Sequence, residues 1–219
     1  MIWPANAAST CTCAHRPAAR SPFSSYAQQT LIWRNILSEF VWLNGSFGSG
    51  KSSIAKELVA AHPQWRLFDP EYVGFMLGPQ FPDSAVVDFQ DFPSWRRLVP
   101  IVADDIACET GQNLVIVQTL LKQQYWTEIA EGIRAQGHSL RHIVIDASPE
   151  TLRRRITEDQ VLHRAAGWRL QHIPTFIDAR RDWLAAAADL VIDTDSLSPI
   201  QAANEIAQWT TKPAPGEAP

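Results

Sequence analysis

Lysine is scarce in this chain. Lys51, Lys56, Lys122 and Lys212 are its only lysines, and the remaining Lys+Arg total is arginine. With a formal net charge of −4, the chain lacks the basic excess that displaces counterions from a phosphate backbone, so a general nucleic-acid binder is excluded. Cysteine is scarce too. Cys11, Cys13 and Cys108 supply neither a disulfide framework nor a zinc spacing, and a reducing cytoplasm is the expected compartment. No apolar run reaches the length of a membrane span; residues 184–192 come nearest and Asp189 interrupts them. This argues against an integral membrane segment and leaves peripheral membrane contact open.

Acidic residues are missing before Glu39, where an Ala/Ser/Pro-rich stretch carries Arg16, Arg20 and Arg34. That bias resembles a transit peptide, but the order of a secretory signal is absent. The expectation for residues 1–38 is a disordered extension or a start assigned too far upstream, with a short amphipathic helix through Leu31, Ile32, Ile36 and Leu37. Residues 212–219, with three prolines, read as a tail.

Between those ends stands Gly45-Ser46-Phe47-Gly48-Ser49-Gly50-Lys51-Ser52, which fits G-x-x-x-x-G-K-[ST], the P-loop. The apolar run Phe40–Asn44 precedes it as a buried strand. Residues 52–61 follow as a helix, with Ile54, Ala55, Leu58 and Val59 on one face. Such a loop turns backbone N–H groups toward a phosphate at a helix N-terminus. Gly45 to Ser52, with Ser53, are therefore the expected nucleotide-binding residues. Lys51 reaches the β/γ-phosphates, and the Ser52 hydroxyl is the expected Mg²⁺ ligand.

Strands and helices then alternate. Further strands are expected at 65–68, 113–118, 140–145 and 190–192. Helices are expected at 71–77, from Pro93 to Gly111 with a kink at Pro100, through Trp126 to Gly137, from Ser148, over 174–188, and from Ser198 to Trp209. Parallel neighbours need crossovers, so the fold class is α/β: three layers, with a five-stranded parallel sheet flanked by helices. The domain is expected over 39–211, with a lid over about 153–172.

Ligands in such sheets sit at the carboxyl ends of strands. Asp69 ends the second strand; it is either a base for an acceptor hydroxyl or a helix cap, and the two roles are compatible. Glu71 follows it. The third strand runs into Gln118-Thr119 without the acid that hydrolysing ATPases give to magnesium, which disfavours motors and transporters. Asp146 reads as a plain strand-end carboxylate rather than a displaced acid. Arg155, with Arg153, Arg154, Arg164 and Arg169, lies where a lid crosses the phosphates. Asp88, Gln90, Trp95 and Arg96 crowd acids, arginines and aromatics into a loop and helix start, and are expected substrate-binding residues.

Leu43 to Ser52, Phe68-Asp69-Pro70-Glu71 with Gly74-Phe75, and Asp88-Phe89-Gln90 with Trp95-Arg96 together resemble the tunicamycin-resistance protein family. That family belongs to the small P-loop kinase-like ATP-binding proteins, which include the chloramphenicol phosphotransferases. The similarity covers roughly residues 39–210, including Ala147-Ser148, Glu150-Thr151-Leu152, Arg155 and Ile192-Asp193-Thr194. It implies a nucleotide-kinase-like P-loop NTPase that binds ATP through Gly45–Ser52, and it implies Asp69 as the activating base. Thr157 and Asp159 stand where the family carries further arginines. The expected activity is ATP- and Mg²⁺-dependent phosphoryl transfer to a hydroxyl-bearing small molecule such as a nucleoside-like antibiotic, with Lys51, Asp69 and Arg155 as catalytic residues. The alternative is a resistance protein that binds ATP and sequesters the drug. The sequence leaves the oligomeric state open, a homodimer included.

Overall fold

The alternation of apolar residues along the central strands decides which layer each one serves. In a computed structural model that describes residues 37–211, strand β1 (Glu39–Gly45) sends Phe40 and Trp42 into one core and Val41 and Leu43 into another. Strand β3 (Asn113–Val117) divides in the same way: Leu114 and Ile116 to the first core, Val115 to the second. In β4 (Ser139–Asp146), Leu140 and Val144 oppose Ile143 and Ile145. Such strands read as continuous apolar runs because both of their faces are covered.

With β2 (Trp65–Phe68) and β5 (Leu190–Asp193), these strands make one five-stranded sheet in the order β2-β3-β1-β4-β5, parallel at each pairing. This is the expected three-layer α/β architecture. Helices α1 (Lys51–Ala61) and α8 (Pro199–Thr210) cover one face through Ile54, Leu58, Ala202 and Ile206. The other face lies under α2 (Glu71–Leu77), α3 (Pro93–Thr110) and α4 (Gln123–Ala135), with Trp95, Val99, Trp126 and Ile129 in its core. Helix α3 remains helical on both sides of Pro100. After β4, α5 (Pro149–Glu158) starts on the Ser148 cap. A short 3₁₀ turn and α6 (Ala166–Gln171) follow. Helix α7 (Ile173–Ala179) then continues as a π-helical turn through Leu184.

The expected leader up to residue 36 and the tail at 212–219 lie outside the described residues. Ser38 belongs to the fold: it is buried, donates its N–H to His138 Nδ1 and accepts from the Ser139 N–H. No helix among the described residues is long and apolar enough to cross a membrane. With β1 central and β3 and β4 beside it, the loops after all three strands open at one edge. The P-loop lies there.

Candidate active site

Gly45 ends β1 at a φ of 145°, and a Cβ there would stand 2.3 Å from the Ile145 carbonyl oxygen. Only glycine allows the loop to leave the sheet this closely against β4. At the far end Gly50, with φ 100°, makes the left-handed turn that opens α1. Inside the loop Lys51 is buried and donates from Nζ to the carbonyl oxygens of Gly45 (2.9 Å) and Ser46 (2.8 Å). Burial pushes its ammonium down to about 7; the Glu71 carboxylate opposes the shift and the Arg169 guanidinium adds to it.

The loop forms one wall of a cavity of about 740 Å³. Ser52 and Ser53 line it at the start of α1, Asp69 and Glu71 at the end of β2, and Gln118 and Thr119 after β3. Asp69 is half-buried, and its Oδ1 accepts the Glu71 N–H at 3.0 Å. Burial raises the Asp69 carboxyl above the usual range. Glu71 is raised as well, by burial and then by the neighbouring Asp69 and Asp88 charges, against the pull of Lys51.

Buried polar atoms ordinarily find partners. Here Ser46 Oγ, Ser49 Oγ, Gln118 Oε1 and Arg169 Nε are buried without one. Two belong to the P-loop, and Gln118 and Arg169 line the cavity. Gln118 and Arg169 thus bring unspent hydrogen-bonding capacity to the cavity, where a polar ligand would use it. A second cavity, about 190 Å³, shares Gly50, Ser53 and Arg155 with the first and adds Thr194, Leu197 and Pro199.

The profile of the AAA domain family matches residues 40–164, a span that contains β1 from Phe40 on, the P-loop and both carboxylates. The chain belongs to the AAA domain family. The fold of this AAA domain resembles that of the Deinococcus radiodurans tunicamycin resistance protein, with a TM-score of 0.62 at 25% identity over 79% of this chain and 95% of that one. It also resembles the APS kinase of Mycobacterium tuberculosis solved with AMPPNP and APS, at a TM-score of 0.59 and 18% identity over 80% and 99% of the two chains. Shikimate kinase from Bacteroides thetaiotaomicron gives 0.55 and 14% over 80% and 99%. The fold is thus that of the P-loop kinases. No curated protein matches the chain.

Several expected site residues of the AAA domain lie elsewhere. Trp95 is fully buried and donates its indole N–H to the Pro70 carbonyl, so it is a core residue and not a pocket wall. Arg96 is also buried. It donates from Nε to Glu128 and from Nη1 to the Gln90 carbonyl, and it stacks on the Tyr125 ring at 4.1 Å. Asp88 is exposed and accepts the Gln90 N–H, while the Gln90 side chain donates to the Thr119 carbonyl. These contacts tie the 88–96 segment to α4 and to the loop after β3. None of Asp88, Gln90, Trp95 and Arg96 lines the cavity, which corrects the expectation of a substrate-binding role for these four. Arg96→Ala should lower stability by roughly 1–3 kcal/mol, the range for losing hydrogen bonds to a charged group. Denaturant melts and nucleotide titrations check this; weakened ligand binding at unchanged stability would contradict it.

Arg155 approaches the P-loop and lines both cavities. Nη1 donates to the Gly48 and Ser49 carbonyls and to Thr194 Oγ1 (3.0 Å), and Nη2 donates to the Thr194 carbonyl (2.6 Å). It braces the loop against the chain after β5. Asp146 is held by Arg180 at 2.7 Å, the plain strand-end role expected of it. Of the arginines expected near the lid, Arg169 is the buried one, and it lines the cavity.

Proposed function

We propose that this AAA domain is an ATP-dependent phosphotransferase acting on a hydroxyl-bearing small molecule. One juxtaposition carries the reading: a half-buried, proton-seeking Asp69 shares a cavity with the P-loop Lys51. A P-loop alone supports nucleotide binding; a base across the cavity supports transfer to an acceptor.

The residues fit the nucleotide. The P-loop would hold the phosphates through its backbone N–H groups, and the second cavity would take the base. Ser52, exposed on the cavity wall, would ligate Mg²⁺, whose remaining ligands come from phosphate and water. Bound MgATP supplies the phosphoryl group and the cation that neutralises it. Lys51 leaves the Gly45 and Ser46 carbonyls for phosphate oxygens, and Arg155 keeps the loop in shape. Asp69 retains its bond to Glu71 through Oδ1 and takes the acceptor's hydroxyl proton at Oδ2, while Glu71 orients the acceptor.

The resemblance to a tunicamycin resistance protein points to a nucleoside-like antibiotic as acceptor, and residues 38–211 make the domain. A second reading, an ATP-dependent drug-sequestering protein, is favoured by the absence of a carboxylate at Gln118-Thr119 after β3. A mass-resolved transfer assay separates the two.

The lowered Lys51 ammonium gives a pH dependence. Between its free value of about 7 and its ordinary 10.5, Lys51 in the ligand-free protein is largely neutral. A polyphosphate restores its proton, so binding takes up a proton there and weakens as pH rises, by up to about tenfold per pH unit. Over the same window the unfolded chain holds more protons than the ligand-free fold, so that fold gains stability with rising pH. Calorimetric titration in buffers of different ionisation enthalpy at pH 6.5 and pH 9 tests this. Flat affinity without proton uptake would contradict it.

A further inference from the structure

The segment after β3 is pinned from several sides. Four consecutive carbonyls, from Gln118 to Leu121, each accept a side-chain donor from elsewhere in the fold. Trp42 donates its indole N–H to Gln118 at 3.1 Å, and Gln90 donates its amide to Thr119 at 2.9 Å. Asn44 donates its amide to Leu120 at 3.1 Å, and Trp183 donates its indole N–H to Leu121 at 3.1 Å. Asn44 Oδ1 also accepts the Leu120 N–H, and the Thr119 hydroxyl is spent on the Gly45 carbonyl. A backbone fixed at each step presents its side chains in one geometry.

One group in this segment is left over. Gln118 is 4% exposed, and its Oε1 is buried without a partner in a side chain that lines the large cavity. An orphaned buried acceptor carries a cost that a ligand donor removes. The Asp69 and Glu71 carboxylates line the same cavity, so three hydrogen-bond acceptors meet there. Ionised phosphates bring no donors and cannot satisfy them. A ligand with several hydroxyls can.

The topology sets two of these groups side by side. Phe68 is paired with Ile116 in the parallel β2–β3 register, so Asp69 and Gln118 follow the ends of neighbouring strands. Such strands stand about 4.8 Å apart. Two hydroxyls on adjacent carbons can bridge that gap, whereas a lone hydroxyl on Asp69 leaves Gln118 unpaired.

We propose that Gln118 is a specificity-determining residue for the acceptor, and that the acceptor is a vicinal diol of the sugar or ribose type. One hydroxyl lies on Asp69, and its neighbour donates to Gln118 Oε1. This rests on the acceptor-site reading of Asp69 above, and it narrows the substrate class from any hydroxyl to a paired one.

The test measures dissociation constants calorimetrically for the full chain with MgAMPPNP bound, so that no transfer is needed. The probes are uridine and methyl α-D-glucopyranoside, each compared with counterparts lacking one hydroxyl of a vicinal pair. At least one diol probe should bind about tenfold or more tighter than its deoxy counterparts, because the missing hydroxyl leaves a buried group unpaired. Gln118→Met should bring that probe down to its deoxy counterparts while changing MgAMPPNP affinity less than about threefold. Without ligand, the same variant should melt ~2–6 °C higher, since it removes an orphaned acceptor from a buried site. A merely structural amide would show the opposite shift. The proposal is overturned if neither probe discriminates, if discrimination persists in Gln118→Met, or if that variant melts lower. Weakened MgAMPPNP binding with intact discrimination would assign the amide to the nucleotide side and overturn it as well. Transfer to an acceptor with a single isolated hydroxyl would overturn this proposal and leave the phosphotransferase reading standing. A diol bound with discrimination but never phosphorylated would do the reverse.

Discussion

Lys51→Ala should leave a folded protein that transfers phosphoryl groups ~10²–10³ times more slowly, the usual consequence of removing one preorganised donor to developing charge. The fold should survive because the lysine is a costly residue there. Its charged form is disfavoured by burial, so truncation relieves a desolvation penalty while removing some aliphatic packing. One of the carbonyls it leaves, that of Gly45, still accepts from Thr119 Oγ1 at 2.8 Å. The net stability change should stay within about 1 kcal/mol. Single-turnover rates with a thermal melt check both halves. Unchanged turnover and unchanged nucleotide affinity would remove the P-loop from the account.

Asp69→Asn should lower transfer by about 10²–10⁴, the range for loss of general-base help. The substitution is nearly isosteric, and an asparagine oxygen accepts the Glu71 N–H as Asp69 Oδ1 does. The start of α2 therefore keeps that hydrogen bond, and stability should change little. The raised carboxyl of Asp69 makes it a stronger base than a solvated aspartate, and the amide cannot accept the proton. Nucleotide affinity should persist, since Asp69 is not placed on the phosphate-cradling loop. The rate loss should therefore appear at saturating nucleotide. If ATP affinity falls in step with the rate, Asp69 belongs to nucleotide binding and the base assignment fails.

What could be read from the chain alone follows from how local each feature is. The P-loop is contiguous, and the strands around it alternate between two buried faces, so the sheet and its phosphate edge were legible. The position of Asp69 on the cavity was legible because a strand end needs only local pattern. The Arg96 partner Glu128 is 32 residues away, and the Asp146 partner Arg180 is 34 away. Neither pairing has a sequence signature. Trp95 did have one: Trp95, Val99, Ala103 and Ala107 recur every four residues along the buried stripe of α3, a helical period that marks core. The cluster of aromatics and charges around it drew attention to composition instead. Arg169 could not be told from its four neighbouring arginines, because burial against Asp159 and the P-loop is a tertiary property.

The most direct measurement incubates the purified protein with ATP, Mg²⁺ and a panel of hydroxylated antibiotics and nucleosides, recording product mass and ADP released. The account predicts one acceptor heavier by a single phosphoryl group, formed over many turnovers with one ADP each. A drug that is protected stoichiometrically and recovered with unchanged mass would contradict it and establish the ATP-dependent binder.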